Sequence, residues 1–318
     1  MALRGKNVLV TGGCGFYGGH LVERLVNLGC NVFVTDLLIH PKSYFLQQKL
    51  DEKVVFEYCD IGNFDHINSV ITKNEIDLVF HLAAVTTVDA AFHNPRQTVI
   101  SNVVGTTNVL ESCRLYGKVE GVLFTSTDKA YGKLPRVSEK NPISGDHPYE
   151  VSKSSADLIA RSYFKTYNLP VVVTRFGNVY GEGDLNFNRL IPGIMESVVK
   201  NKELKIRSNG KYIRDYVYVK DVVDATLTLA NNISKVQGEA FNVSSLENLS
   251  VIDVVKRVEN ILGEKIKYRI LSTAVNEIPT QSVNFNKIRK AFGWKPNHNF
   301  KTSMGDILTW YREYFDLH

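Results

Sequence analysis

A glycine-rich turn near the start of the chain limits its fold more than any other feature of the sequence. In "VLVTGGCGFYGGHL", a β-branched run leads into G-x-G-x-x-G through Gly13, Gly15 and Gly18, and also into G-x-x-G-x-x-G beginning at Gly12. Glycines let the backbone turn sharply and approach a pyrophosphate, whose charge is stabilised by the N-terminus of the following helix. Glycines alone are compatible with an ordinary tight turn, but their position between a strand and a helix predicts a dinucleotide-binding site.

An acidic residue follows this turn at the expected distance. Asp36 ends the next predicted strand, 18 residues after Gly18. A carboxylate there binds the ribose hydroxyls of adenosine and repels a 2′-phosphate, so we expect NAD rather than NADP. Asp60 and Ile61, after the third predicted strand, are expected to flank the adenine. The alternative for Asp60 is a helix N-cap.

Short β-branched runs alternate with helical stretches through the first half of the chain. The predicted strands cover 7–13, 31–36, 54–60, 77–84, 121–127 and 169–181, and helices are predicted at 95–116 and from about 147 to 167. Near-continuous apolar strands separated by helices indicate an α/β fold with a doubly wound parallel Rossmann sheet. Such a sheet binds ligands beyond the carboxyl ends of its strands.

The alternation stops after Gly181. A helix ending near residue 201, a hairpin around Asn209–Gly210 and a terminal amphipathic helix are predicted there. We expect a smaller mixed α/β lobe that binds the substrate. The predicted division is a Rossmann domain at 1–177, with 215–240 packing back onto it, and a substrate lobe at 178–214 and 241–318.

Composition excludes several function classes. The net charge is +5, and Lys and Arg are scattered, which disfavours a nucleic-acid partner but suits an anionic small molecule. Four cysteines without a C-x-x-C motif disfavour a zinc site and a disulfide framework, so no metal and a cytoplasmic location are predicted. The strand-like N-terminus leaves no room for a signal peptide, and no apolar run reaches the roughly 18 residues of a membrane span.

A tyrosine and a lysine are predicted to form the hydride-transfer site. "HPYEVSKSSAD" places Tyr149 and Lys153 four residues apart on a predicted helix, hence on one face. Tyrosine titrates near pKa 10, and the Lys153 ammonium together with the positive nicotinamide of NAD⁺ favours the phenolate. Tyr149 is then the base that takes a hydroxyl proton, and Thr127 donates a hydrogen bond to the same oxygen. The alternative is a chance Tyr-x-x-x-Lys on a surface helix, which the upstream glycine turn disfavours.

The stretch "TSTDKAYG" places ionisable residues directly after Thr127, at the end of the fifth predicted strand. Asp128 and Lys129 either act in catalysis or form an ion pair on a solvated surface turn. Catalysis is favoured because this strand end points towards the predicted nicotinamide site. His81 and His93 are expected to be structural.

Seven segments, in the same order, resemble the extended short-chain dehydrogenase/reductase family, which comprises the nucleotide-sugar epimerases and dehydratases. They are "TGGCGFYG", "DI" at 60–61, "HLAA", "STDKAYG", "YEVSK", "TRFGNVYG" and "RDYVYVKD". Within this family, "STDKAYG", "GDLNFNRLIP" and "IRSNGKYIRDYVYVKDV" are most similar to the CDP-glucose 4,6-dehydratase group.

The resemblance implies an NAD-dependent nucleotide-sugar 4,6-dehydratase, with CDP-glucose or a related NDP-hexose as substrate and a homodimer through helices 95–116 and 148–167. It assigns Tyr149 as the base at C4, Lys129 as the base at C5 and Asp128 as the acid at C6. The first alternative is a 4-epimerase, which uses Tyr149, Lys153 and NAD without the acid–base pair. The second is a non-catalytic NAD sensor, against which the retained Tyr149 and Lys153 argue.

The resemblance also implies the residues that contact the two ligands. The cofactor residues are Gly12, Gly15, Phe16, Tyr17, Gly18, Asp36, Leu37, Asp60, Ile61, Leu82, Ala83, Ala84, Asn102, Tyr149 and Lys153. The substrate residues are Thr86, Asn178, Asn188, Arg189, Arg207, Arg214 and Glu277. Arg214 and Asn178 match the diphosphate contacts, whereas solvated surface charge is the alternative for Arg189 and Arg207. Glu277 and Gln281 stand where relatives often place Arg or His, so the nucleotide base stays open.

Overall fold

The computed structural model describes residues 3–273 and 278–316. Its strands are β1 (Asn7–Thr11), β2 (Asn31–Asp36), β3 (Val55–Tyr58), β4 (Leu78–His81), β5 (Gly121–Thr127), β6 (Arg136–Val137), β7 (Val171–Phe176), β8 (Asn178–Tyr180), β9 (Leu204–Ile206), β10 (Ile213–Tyr218), β11 (Ala240–Val243), β12 (Asn248–Ser250), β13 (Tyr268–Ile270) and β14 (Ser282–Val283). Its α-helices are α1 (Phe16–Asn27), α2 (Tyr44–Gln47), α3 (Phe64–Lys73), α4 (Val88–His93), α5 (Pro95–Val99), α6 (Gly105–Tyr116), α7 (Pro148–Tyr167), α8 (Leu190–Val199), α9 (Val219–Asn231), α10 (Ile233–Val236), α11 (Val251–Leu262), α12 (Asn286–Phe292) and α13 (Phe300–Asp316).

A seven-stranded sheet in the order β11-β7-β5-β4-β1-β2-β3 forms the centre of the molecule. Every neighbouring pair in it is parallel. The strand order reverses between β1 and β4, and a doubly wound sheet opens a crevice at such a point. The predicted α/β Rossmann sheet is confirmed.

Helices cover both faces of this sheet. On one face α1 and α9 bury the apolar side chains Leu21, Val22, Leu25, Val222 and Val223. On the other face α3, α6 and α7 bury Ile67, Val70, Val109, Leu110, Ala156 and Ala160. These two layers explain why the strands read as nearly continuous apolar runs.

The helices of the second layer include α7, which carries the candidate catalytic side chains Tyr149 and Lys153. Residues 95–116 form one continuous helical rod in which α5 and α6 are joined by a π-helical segment, Ile100–Val104. Helix α7 begins where the His147 side chain accepts a hydrogen bond from the Tyr149 N–H, with Pro148 in its first turn. It ends at Asn168, which has a left-handed conformation. Tyr149 therefore lies in the first turn of a firmly delimited helix.

No helix in residues 3–273 or 278–316 is long and apolar enough to span a bilayer.

The second lobe differs from the prediction in its strand pairing. The predicted hairpin around Asn209–Gly210 is wrong, because β9 pairs in parallel with β13 while β10 pairs with β8 and β12. The chain does turn at Gly210, whose φ is 79°, but the two flanking strands join different sheets. The predicted strand 169–181 is likewise split at Gly177, so that β7 belongs to the large sheet and β8 to the lobe. The predicted boundary between 240 and 241 falls inside β11, which is a strand of the large sheet.

Candidate active site

A cleft of about 1470 Å³ runs along the carboxyl ends of the central strands and beneath the second lobe. Sites for single small ligands typically have about 300–1,000 Å³. The cleft is therefore large enough for a cofactor and a substrate side by side. Its lining comes from the turn after β1, the ends of β2, β4 and β5, helix α7, and the segments around β8, β9 and β10.

The glycine turn forms one end of the cleft, and its packing requires glycine. A Cβ atom on Gly18 would lie 2.3 Å from the Gly12 carbonyl oxygen, and one on Gly12 would lie 2.8 Å from the Ala83 backbone. Gly15 precedes α1, and no side chain caps this helix end, so its first N–H groups face the cleft without a side-chain acceptor. Such a cradle fits the pyrophosphate of a dinucleotide.

Asp36 lies at the end of β2 beside this turn. Its carboxylate accepts hydrogen bonds from the N–H groups of Leu37 at 2.8 Å and Cys14 at 3.1 Å. Burial raises the pKa of the Asp36 carboxyl, and the backbone donors oppose that rise. The oxygens are thus held in place at the floor of the cleft, where an acid can recognise ribose hydroxyls.

The predicted adenine contacts, Asp60 and Ile61, both line the cleft. The N-cap alternative for Asp60 is wrong, because Asn63 caps α3 through a bond from the His66 N–H at 3.1 Å. The Asp60 carboxylate instead accepts from the Gly62 N–H at 2.8 Å.

The loop after β4 supplies Leu82, Ala83, Ala84 and Thr86 to the cleft wall. Asn102 was predicted to contact the cofactor, but it lies behind this loop and is buried. Its side chain accepts from the Val85 N–H at 2.7 Å and donates to the Val85 carbonyl at 3.0 Å and to Ser152 at 2.9 Å. Asn102 therefore shapes the loop from behind.

Tyr149 and Lys153 are both buried, and only Tyr149 lines the cleft. The Lys153 ammonium donates to the Thr125 carbonyl at 2.6 Å, and burial lowers the pKa of Lys153 to about 8. Burial raises the pKa of the Tyr149 phenol to about 12. The charge of Arg189 opposes that rise, and so does a hydrogen bond with Thr127.

This electrostatic arrangement differs from the prediction, in which the Lys153 ammonium lowers the pKa of the phenol. Burial dominates the pKa of Tyr149, and the negative charge of Asp128 raises it further. Lys153 is instead bonded to the backbone of β5. The phenol needs an additional cation next to it before it acts as a base near neutral pH, and oxidised nicotinamide carries such a charge.

Asp128 and Lys129 form an ion pair at the end of β5, with 3.2 Å between the Lys129 Nζ and the Asp128 Oδ1. Asp128 Oδ1 also accepts from the Thr127 hydroxyl at 3.0 Å. The side chain of Asp128 is only 2% exposed and that of Lys129 is 23% exposed, while Thr127 and Lys129 line the cleft. The pair does form, as one alternative predicted, but it is not a solvated surface turn.

Two buried residues behind this turn were not assigned to it from the sequence. The Gln281 amide donates to the Asp128 carbonyl at 3.1 Å, and Gln281 also lines the cleft. Asp215 accepts from the Ser244 hydroxyl at 2.9 Å and the Val283 N–H at 2.6 Å. Burial raises the pKa of Asp215 to about 6, and the Asp128 charge adds to that rise. The only feature of the sequence that pointed to Asp215 was the position of this acid beside Arg214 in a strand whose other residues are apolar or aromatic.

The second lobe contributes cations and amides to the opposite wall of the cleft. Asn178, Asn188, Arg189, Arg207 and Arg214 all line it. Arg189 is paired with the buried Asp184 at 3.1 Å, and Asn178 donates to the Asp215 carbonyl at 3.2 Å. Glu277 lies outside the described residues. The positive charges on this wall suit an anionic ligand.

The two histidines have different surroundings in the structure. His81 is buried between the hydroxyls of Thr11 at 2.7 Å and Thr106 at 3.0 Å, and burial lowers its pKa to about 3. It is therefore neutral and structural. His93 is exposed at the rim of the cleft, 3.8 Å from Asp89.

Comparison with known proteins identifies the family. The model of the "NAD dependent epimerase/dehydratase family" matches residues 8–244. This chain belongs to that family. The dTDP-glucose 4,6-dehydratase 1 of Escherichia coli (strain K12) is 31% identical, over 96% of this chain and 92% of its own.

Solved structures of family members have the same fold. A dTDP-glucose 4,6-dehydratase from Streptomyces venezuelae with NAD bound has a TM-score of 0.88 and 26% identity, covering 96% of this chain and 97% of its own. The UDP-glucose 4-epimerase of Thermotoga maritima with UDP-glucose has a TM-score of 0.87 and 27% identity, covering 98% and 100%. Family membership and the fit of the glycine cradle and Asp36 confirm NAD as the predicted cofactor.

Proposed function

We propose that this family member is an NAD-dependent nucleotide-sugar 4,6-dehydratase, which converts an NDP-hexose into the NDP-4-keto-6-deoxyhexose and water. The observation that carries the proposal is the buried Asp128, which is paired with Lys129, while Lys129 lines the cleft together with Thr127 and Tyr149. Elimination of water needs an acid and a base besides the group that serves the oxidation, and this turn supplies both. The 31% identity with a dTDP-glucose 4,6-dehydratase supports the proposal.

In the first stage Tyr149 takes the proton of the C4 hydroxyl, and the Thr127 hydroxyl donates a hydrogen bond to the same oxygen. When bound, NAD⁺ would supply the hydride acceptor for C4 and, once reduced, the hydride donor for C6. The resulting C4 ketone makes the neighbouring C5 proton acidic.

In the second stage Lys129 removes the C5 proton and Asp128 protonates the C6 hydroxyl, so that the C6–O bond breaks and water leaves. These roles require a neutral amine and a protonated acid. The 3.2 Å contact between the Lys129 Nζ and the Asp128 Oδ1 places the proposed base and the proposed acid side by side.

The substrate contacts are proposed from the positions of the side chains. Asn178 and Arg214 line the cleft beside Asp215 and are assigned to the diphosphate, with Arg189 and Arg207 completing the positive wall. Thr86 and Asn188 are assigned to the sugar end of the substrate. CDP-glucose remains the first candidate substrate from the resemblance, whereas the relatives named above act on dTDP- and UDP-sugars.

We also propose a homodimer that pairs helices 95–116 and 148–167. Val104 and Leu115 are exposed and lie three helical turns apart on the first of these helices. Val151 and Leu158 are exposed at heptad spacing on the second, and α6 packs against α7. These apolar side chains form a candidate interface on adjacent helices.

The second candidate function is a nucleotide-sugar 4-epimerase. The fold similarity to the Thermotoga maritima UDP-glucose 4-epimerase is nearly as high as that to the dehydratase. An epimerase uses Tyr149 and Lys153 for the oxidation at C4 and does not need the buried pair of Asp128 and Lys129.

Product mass separates the two functions. The purified protein is incubated with CDP-, UDP-, GDP- and dTDP-glucose and with GDP-mannose, with and without added NAD⁺. A product lighter by one water supports the dehydratase and identifies the nucleotide. A product of unchanged mass and altered retention establishes the epimerase instead. Asp224→Asn removes an exposed carboxylate that pairs with Arg24 and does not line the cleft, and this control should behave as wild type.

A further inference from the structure

A buried polar cluster lies directly behind the candidate catalytic side chains. Arg175 on β7 is 1% exposed and forms two bonds of 2.8 Å to Asp157, which is fully buried on α7. The third guanidinium nitrogen donates to the Tyr131 hydroxyl at 2.7 Å. That hydroxyl in turn donates to the Asn242 amide oxygen at 2.7 Å, on β11.

This cluster connects the two parts of the site that the proposed reaction needs. Asp157 lies one helical turn after Lys153 on the helix that also carries Tyr149. Tyr131 lies two residues after Lys129, and its N–H donates to the Asp128 carbonyl at 3.2 Å. Arg175 thus bonds, on one side, to the helix of the oxidation step and, on the other, to the turn of the elimination step.

The geometry of the cluster leaves little freedom. A guanidinium bound bidentately to a carboxylate is fixed in its plane, so its remaining nitrogen points in one direction. The Tyr131 hydroxyl both accepts and donates, and its ring lies against the guanidinium, 4.8 Å from the ring centroid. The Asn242 amide is itself held by a bond to the Asn284 carbonyl at 3.1 Å. The side chain of Tyr131 is therefore held from two sides.

We propose that Tyr131, held by Arg175, is a positioning residue that keeps Asp128 and Lys129 in register with Tyr149 and Lys153. The inference rests on the proposed dehydratase function. Its specific content is that the elimination step depends on the Tyr131 hydroxyl, whereas the oxidation step does not. Lys153 is held separately by Thr125, so the oxidation site keeps its own support.

The test is Tyr131→Phe, which removes only the hydroxyl. Oxidation is followed in a single turnover by the absorbance of reduced nicotinamide, elimination by the dehydrated product, and C5 deprotonation by deuterium uptake from D₂O. A small misplacement of catalytic groups can cost a large factor in rate, so we expect elimination and deuterium uptake to slow at least about tenfold. Oxidation should stay within about threefold of wild type, so that reduced nicotinamide accumulates.

A matched control is Tyr163→Phe, which removes a phenol hydroxyl on α7 that donates to Glu111 at 3.1 Å, away from this cluster. Tyr163→Phe should change neither the rate of oxidation nor the rate of elimination. If Tyr131→Phe does not fold by circular dichroism, Asn242→Ala, which removes the acceptor of the same hydroxyl, is held to the same criterion.

The outcomes separate this inference from the proposed function. If wild type forms no dehydrated product from any of the sugars, the dehydratase proposal is wrong and this inference is wrong with it. If wild type dehydrates and the variant slows both steps equally, or slows neither, the inference alone is wrong. A selective loss of elimination supports it.

Discussion

The two glycines that flank the start of α1 are predicted to have different functions, and alanine substitutions separate them. At Gly18 the added Cβ would lie 2.3 Å from the Gly12 oxygen and 2.8 Å from the Gly13 Cα, both backbone atoms that cannot rotate away. At Gly15 the nearest atom would be 3.4 Å away. Gly18 is therefore required by packing, whereas Gly15 leaves space for a ligand.

The expected magnitudes follow from these contacts. Overpacking costs about 1–3 kcal/mol, and alanine regains up to about 1 kcal/mol of helix propensity at Gly18. Because a 2.3 Å contact with a backbone oxygen is at the severe end of overpacking, Gly18→Ala should lower the free energy of unfolding by about 2 kcal/mol. Gly15→Ala changes an N-cap position and should cost less than about 1 kcal/mol, but its methyl group would stand where the pyrophosphate approaches.

The assay combines urea unfolding with NAD titration of both variants. We expect Gly18→Ala to be the less stable protein, and Gly15→Ala to fold normally and bind NAD at least about tenfold more weakly. If Gly18→Ala is as stable as Gly15→Ala, or more stable, the packing argument is refuted. Unchanged NAD affinity of Gly15→Ala would refute the placement of the pyrophosphate at this turn.

Three further predictions concern charge. Arg189→Ala removes a cation that lowers the pKa of Tyr149, so the limb of the kcat/KM profile that rises with pH should move to higher pH. Arg189→Lys keeps the charge, and its profile should stay near that of wild type. If the rising limb of Arg189→Ala does not move, the electrostatic effect of Arg189 on Tyr149 is contradicted. Asp36→Asn should lower the preference for NAD over NADP in paired titrations, and an unchanged ratio would remove Asp36 from the ribose site. Burial lowers the pKa of His81 to about 3, so the contribution of His81 to wild-type stability should fall by roughly 4 kcal/mol as the pH falls from 6.5 towards 3 and His81 becomes protonated in the unfolded chain. In urea titrations, the free energy of unfolding of His81→Gln should fall less than that of wild type over this pH range. An equal fall in both proteins would contradict the assignment of this pH dependence to His81.

Local patterns were sufficient for the framework of the fold. The alternation of β-branched runs and helices predicts the parallel sheet, and the order of Gly12, Gly15, Gly18 and Asp36 along it predicts the cofactor end of the cleft. These signals are local because a strand, its turn and the next helix are contiguous in the chain. The predicted sheet and cofactor are confirmed.

Pairings between distant parts of the chain were not predictable in this way. β9 pairs with β13 more than sixty residues later, so the turn at Gly210 reads as a hairpin although its strands diverge. Asn102 carries the signal of a polar residue near the cofactor loop, but its amide faces the back of that loop.

The electrostatics depend on burial, which sequence does not give. The Tyr-x-x-x-Lys spacing is compatible with two arrangements. In one, the lysine lowers the pKa of the tyrosine phenol; in the other, which the structure has, Lys153 donates a hydrogen bond to the backbone of β5. The contact between Gln281 and the Asp128 carbonyl likewise joins residues 153 positions apart. Only the folded arrangement distinguishes a buried acid–base pair from a solvated turn.

The most direct test of the central claim compares wild type with Asp128→Asn and Lys129→Gln in single turnovers on the sugar that wild type dehydrates. Reduced nicotinamide and the mass of the product are recorded together. The account predicts that both variants still oxidise C4, so that reduced nicotinamide accumulates, while water loss falls at least about 100-fold, within the range typical of general acid–base groups. If either variant dehydrates the sugar at a rate near that of wild type, its residue is not the acid or base of the elimination.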